Sequence, residues 1–197
     1  MAPIRREQIC RAAADVIAAR GFDRTTIREV AEVAGVSTGT VNHYFKNRLD
    51  MLLQTLAYVS ERFQSKYAHV LADTPPGLER FSKFFELTVA LEPEDEAGWK
   101  VWLAAWGEAT RSPAVSELVL VRRRLFQQMI AGILSDLPGL QSATEEEITE
   151  LASEIDAYVD GWGLWRITGE TRLDPNRLEE SMRRVAGIRA RKPAVAR

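Results

Sequence analysis

Residues 26–48, TIREVAEVAGVSTGTVNHYFKNR, constrain this chain more than any other stretch, because they spell two short helices around one tight turn. Ile27, Val30, Ala31 and Ala34 recur at helical spacing. Thr26 with Glu29 three places later reads as a capping box, in which each side chain satisfies the other residue's orphan backbone N–H. Gly35, inside Ala34-Gly35-Val36, supplies the left-handed backbone freedom that a helix–helix turn requires. Ser37 then restarts the pattern as an N-cap, with residues 38–44 as a second helix. A helix of about eight residues measures roughly 12 Å, the width of the DNA major groove. Thr38, Thr40, Asn42, His43 and Tyr44 on it can all hydrogen-bond phosphates or base edges. Two helices around a glycine also occur in proteins that never meet DNA, so the pattern alone leaves both readings open.

At 197 residues, 46% hydrophobic and 27% charged, the composition is that of a soluble globular protein of one or two domains. No apolar run approaches the roughly 20 residues needed to span a bilayer, and no secretory h-region follows the basic start. The expectation is a cytoplasmic protein with no membrane partner. The single cysteine, Cys10, excludes an internal disulfide and a cysteine-rich metal site, and reads as a small buried apolar residue. His43 and His69 are the only histidines, without metal-ligand spacing, and no glycine-rich phosphate loop is present. No metal, no cofactor and no catalytic residue are therefore expected. Carboxylate acid–base chemistry is the only room left for a small all-α enzyme.

Charge is distributed unevenly. Residues 1–50 hold eight Lys and Arg against six Asp and Glu, whereas residues 51–181 hold 12 against 22. A mildly basic head on an acidic body suits a protein that presents one end to DNA. The final residues, 191–197, form a short basic Pro/Ala-rich tail expected to fray.

Helical periodicity is nearly continuous, so the expected fold is all-α with about nine helices. The first helix runs from about Pro3 to Ala19 and buries Ile4, Ile9, Ala13, Val16 and Ile17. Phe22, Val30, Val33, Val41 and Phe45 complete a three-helix core. A fourth helix begins near Asn47 with Leu49, Leu52, Leu53, Leu56, Val59, Phe63, Tyr67 and Val70, until Pro75-Pro76-Gly77 breaks it. The fifth carries Leu78, Phe81, Phe85, Thr88 and Val89. The sixth, behind Pro93 and the acidic Glu94-Asp95-Glu96, carries Trp99, Trp102, Leu103 and Trp106. Ser112-Pro113 opens the seventh, with Val115, Leu118, Leu125, Phe126, Met129, Ile130 and Ile133. The eighth runs from about Thr144 to Thr168, with Ile148, Leu151, Ile155, Tyr158, Trp162 and Trp165 in alternating three- and four-residue steps. The ninth opens at Asp174-Pro175 and buries Leu178, Met182, Val185 and Ile188. The expected division is residues 1–48 as a helix-turn-helix domain, 49–190 as a helical ligand-binding and dimerisation domain, and 191–197 as the tail.

The run GVSTGTVNHYFKNR resembles the helix-turn-helix of the TetR family of bacterial transcriptional regulators, through Gly35, Val36, Ser37, Gly39, the His43-Tyr44-Phe45 triplet and Arg48. The likeness extends back through Thr25-Thr26-Ile27 to Gly21. It implies a DNA-binding repressor that acts as a homodimer on a palindromic operator and is released by a small-molecule effector. It also implies roles for Thr26, Ser37, Thr38, Thr40, Asn42, His43, Tyr44 and Arg48 at the DNA. Thr38 and Thr40 match positions near the helix start that reach bases or phosphates, and His43 and Tyr44 match backbone-contacting positions. Arg48 stands where the family commonly has lysine. Asn42 departs from the usual aromatic residue. It could bond an adenine edge, or face the head's own core.

The later helices resemble the choline-responsive, or betaine, branch. The TetR resemblance implies a dimer interface on the last two helices, drawn from Ile148, Leu151, Ile155, Tyr158, Val159, Trp162, Trp165, Leu178 and Met182, the alternative being that the apolar stripes of the eighth helix are intramolecular core. The family also implies an effector pocket in the body. The aromatic residues Phe84, Phe85, Trp99, Trp102, Trp106, Tyr158 and Trp162 are the candidates to line it, with Glu108, Asp156 or Asp160 as the carboxylate for a cationic ligand. Tryptophans at helical spacing serve equally well as ordinary core. The remaining alternative is a helical interaction or ligand-binding protein that has given up DNA.

Overall fold

The computed structural model describes residues 2–89, 93–169 and 174–185, and the expectations for Ile188 and the tail 191–197 lie outside them. So do those for the side chains of Ile4, Val89, Glu94, Leu178 and Val185. Among the described residues the chain is all-α, in nine helices: α1 (Ala2–Arg20), α2 (Ile27–Val33), α3 (Thr38–Tyr44), α4 (Arg48–Ala72), α5 (Leu78–Val89), α6 (Pro93–Ala109), α7 (Pro113–Ser135), α8 (Glu145–Ile167) and α9 (Pro175–Val185).

The helix ends follow local chemistry. Thr26 and Thr144 each close a full capping box, with Glu29 and Glu147. Ser37 caps α3 by accepting the Thr40 N–H at 3.0 Å, and Asn47 does the same for Asp50 at the start of α4, at 2.9 Å. Helix α2 ends in a Schellman arrangement: Val36 N–H reaches Ala31 O at 2.9 Å and Gly35 N–H reaches Glu32 O at 3.1 Å. Gly35 sits at φ 64°, which only glycine adopts without strain.

Two compact units emerge, and they interleave in sequence: residues 1–66 with 91–124, and residues 67–90 with 125–197. In the first, α1 packs on α2 and on α6, and α2 packs on α3. Its core holds Ile9, Ala13, Ile17, Val30, Val41 and Phe45 together with Met51, Leu56, Val101, Ala105 and Val115, each at most 1% exposed. In the second unit α9 packs on α5 and α8. There Phe81, Phe84, Phe85, Leu134, Leu137, Ile155 and Met182 are buried. Thr25, Thr55, Ser60 and Thr88 are also buried, and each hydroxyl donates to the carbonyl four residues earlier at 2.7–2.8 Å.

Five expected core residues are exposed: Val33, Leu49, Leu78, Leu103 and Leu125. Val33 is 56% exposed, because the buried face of α2 is centred on Val30, Ala31 and Ala34 and the helical rotation carries Val33 away from it. Leu103 and Leu125 lie opposite the buried rows of α6 and α7, and Leu49 stands out from the first turn of α4.

The Phe63 ring of α4 lies so close over Gly98 of α6 that an added Cβ would sit 2.6 Å from it. Gly107, in the same helix, has open space beside it. Gly98→Ala should therefore leave the protein less stable than Gly107→Ala by about 1–3 kcal/mol in urea melts, since one overpacks a helix contact and the other only gains helix propensity.

Candidate nucleic-acid interface

Helix α3 is built with one inner and one outer face. Val41 is fully buried beneath it, and Phe45, just past its end, is buried as well. The outer face presents two rows at i, i+4 spacing, Thr38 with Asn42 and Gly39 with His43, and all four residues are exposed. Asn42 thus faces solvent, not the core of the head. Ser37 and Thr40 share a hydroxyl–hydroxyl hydrogen bond of 2.9 Å at the helix start. Tyr44 is half-buried, its ring edge-on to His43 at 5.2 Å.

Two expected DNA contacts are engaged elsewhere. The Thr26 N–H and hydroxyl both donate to Glu29 Oε2, at 3.3 and 3.1 Å, and Arg20 pairs with the same carboxylate at 2.6 Å. The Glu29 carboxylate thus accepts from both donors of the α2 cap and from Arg20. Arg48 donates from Nε to Thr25 O at 2.6 Å and from Nη2 to Phe22 O, and so is turned into the α1–α2 loop. Lys46, which the motif reading passed over, is an exposed cation between the recognition helix and α4. Its position one residue past the His43-Tyr44-Phe45 triplet was the available signal.

Asp50 ties this turn to α4, accepting from Lys46 N–H at 2.8 Å and from Gln54 Nε2 at 2.7 Å. Burial alone would raise its pKa, but the Gln54 and Lys46 hydrogen bonds and the charges of Lys46 and Arg6 outweigh it and hold the carboxyl below the ordinary range. Arg6 lies over the Phe45 ring at 5.9 Å and donates to Gln54. Burial pushes the Cys10 thiol up to about 11, with Thr55 hydrogen-bonded to it, so it is an inert core residue at neutral pH.

The expected pocket residues divide between the two units. Trp99, Trp102 and Trp106 belong to the first, in a ladder of ring contacts at 6.3–6.4 Å that continues to Phe63. Trp102 and Trp106 pack against the core of that unit. Glu108 is paired with Arg111 at 2.9 Å. In the second unit Phe84 and Phe85 are buried, and the Tyr67 ring lies 5.4 Å from Phe84 and 5.7 Å from Phe126. Asp156, only 3% exposed, accepts from Gln127 Nε2 at 2.9 Å. Asp160 is half-buried.

The expected dimer residues also divide. Ile148, Ile155, Val159, Trp162 and Met182 are buried within the single chain, so these five serve its own core. Leu151 is half-buried, whereas Tyr158 and Trp165 are 48% and 58% exposed. Of the six stepped residues along α8, three are therefore buried within the chain and three are not.

A capped helix-turn-helix whose second helix turns an all-polar face to solvent defines a DNA-binding protein of the helix-turn-helix class. Residues 9–55 match the family of bacterial regulatory proteins of the tetR type, and residues 77–187 match the BetI-type transcriptional repressor C-terminal family. The chain belongs to the TetR family, in its BetI-type branch, and is a transcriptional repressor, not an enzyme. The HTH-type transcriptional regulator BetI of Klebsiella pneumoniae (strain 342) is 30% identical over 168 residues, covering 84% of this chain and 82% of that relative. A transcriptional regulator from Pseudomonas aeruginosa PAO1 superposes with a TM-score of 0.83 at 20% identity, over 95% of this chain and 90% of its own. One from Saccharomonospora viridis, solved in complex with choline, superposes with a TM-score of 0.78 at 24% identity, over 93% and 95%. No helix among the described residues is long and apolar enough to cross a membrane.

Because the Asp50 pKa is lowered by folding, its ionisation stabilises the head above the ordinary carboxylate pKa of about 4, and that stability is lost as pH falls through the folded value. Asp50→Asn should therefore be less stable than wild type at pH 7, with the difference shrinking in urea melts taken at progressively more acid pH.

Proposed function

We propose that the protein is a cytoplasmic homodimeric repressor that holds a two-fold symmetric operator through the outer face of α3 and releases it on binding a small quaternary ammonium of the choline class. The exposed row of Thr38, Asn42 and His43 over a fully buried Val41 carries the DNA half of this reading. A seven-residue helix covers too few base pairs for a repressor's specificity, and two copies on a palindrome supply the rest.

A row of α8 that ends in two exposed aromatics supports the dimer. Leu151, Tyr158 and Trp165 are spaced by seven residues, so they align along one side of the helix, away from its buried face. Large exposed aromatics in line are the anchors that protein interfaces use. The contrast between the rows is testable. Tyr158→Glu with Trp165→Glu should give a folded monomer in sedimentation, whereas Trp162→Ala should cost about 3–5 kcal/mol of stability because that side chain is core.

The buried Asp156 supports the effector class. A quaternary ammonium has no N–H to donate, so a site recognises it through aromatic faces and a carboxylate. Asp156 is held by Gln127, whose neighbour Phe126 stands in contact distance of Tyr67 and Phe84. The choline complex of the Saccharomonospora viridis neighbour points to the same chemistry. Titrating choline into the protein–operator complex should release the DNA, and Asp156→Asn should demand at least about tenfold more choline. An operator complex that ignores choline and its trimethylammonium analogues would overturn the assignment.

A further inference from the structure

Arg48 opens α4, yet its side chain points into the protein. The Nε–H donates to Thr25 O at 2.6 Å, and Nη2 donates to Phe22 O. These two nitrogens form one edge of the planar guanidinium, so a single rigid fork grips two carbonyls of the α1–α2 loop. Phe22 and Thr25 anchor the loop by burial, at 4% and 0% exposed, and the Arg48 fork holds the backbone carbonyls of the same two residues. The loop's internal turn bond, Thr25 N–H to Phe22 O, is long at 3.3 Å, and the Thr25 hydroxyl reaches back to Gly21 O at 2.8 Å. On the loop's outer side the exposed Arg111 reaches the Asp23 carboxylate at 3.2 Å, an ion pair largely screened by water. The loop runs directly into Thr26, the cap of α2, and α2 carries the packing partner of the recognition helix.

We propose that Arg48 is a positioning residue for DNA recognition: it fixes the loop at residues 21–26, and through it the start of α2 and the pose of α3, instead of contacting phosphate. Lysine cannot replace it in this role. An ammonium is a point charge on a flexible stem and has no side-on edge to span two carbonyls. The phosphate-contact role, by contrast, is one lysine performs well, so Arg48→Lys separates the two accounts while preserving charge and fold.

The proposal rests on the head's binding DNA, and the test has one arm that does not. In amide hydrogen exchange of the free protein, Arg48→Lys should exchange faster than wild type at residues 22–29 and equally in α8. Against the operator in a salt series, Arg48→Lys should bind about tenfold more weakly, the size expected for losing hydrogen bonds from a charged donor, with the salt slope unchanged. Its affinity for a random duplex should fall by less, since a mispositioned recognition helix loses base readout first. Wild-type exchange at residues 22–29, or wild-type operator affinity in Arg48→Lys, would overturn the proposal. A wild-type protein that bound no duplex at low salt would count against the DNA reading itself, and the exchange comparison would still decide whether Arg48 holds the loop.

Discussion

The burial of Val41 and Phe45 is the contact on which the rest of this molecule depends. A seven-residue helix is too short to persist alone, because nucleation costs more than so few hydrogen bonds return. Helix α3 exists because Ser37 caps its first turn and because its inner side is sunk in the core made by α1 and α2. That anchoring frees every outward position from any packing duty. Thr38, Asn42 and His43 can then be chosen for what they meet outside the protein.

The core beneath α3 is larger than the three helices of the motif. Val101 and Ala105 of α6, with Val115 and Val119 of α7, are buried in the same cluster as Ile9 and Val30. Three short helices make a marginal domain, and this additional apolar surface is what closes it. These residues fall within the stretch that matches the BetI-type C-terminal family. Sequence within the BetI-type C-terminal match is therefore part of the physical body of the unit that carries the helix-turn-helix. Ion pairs repeat the connection at its surface: Arg111 with Asp23, Lys66 with Asp95 and Arg122 with Glu61.

Much of this was legible from the chain because it is written locally. Caps, prolines and three-to-four spacing depend on neighbours in sequence, and Thr26, Ser37, Pro113 and Thr144 stand where those rules put them. What a face packs against is not local information. The stepped residues of α8 reveal that the helix has an apolar side, but Ile155 and Trp162 are spent inside the chain while Tyr158 and Trp165 are not. Val33 failed for a related reason. Its spacing from Val30 is helical, yet the face actually buried is centred on the small residues Ala31 and Ala34. Arg48 is the clearest limit. Nothing in the sequence shows that two loop carbonyls lie within reach of its guanidinium.

The measurement that most directly tests the account is fluorescence anisotropy of the protein on the duplex upstream of its own gene, across a salt series, with a random duplex as control. The account predicts binding to the operator at least about a thousandfold tighter than to the control, with both affinities falling log-linearly as salt rises. Equal affinity for the two duplexes at every salt concentration would contradict it, because the outer face of α3 would then touch DNA without reading it.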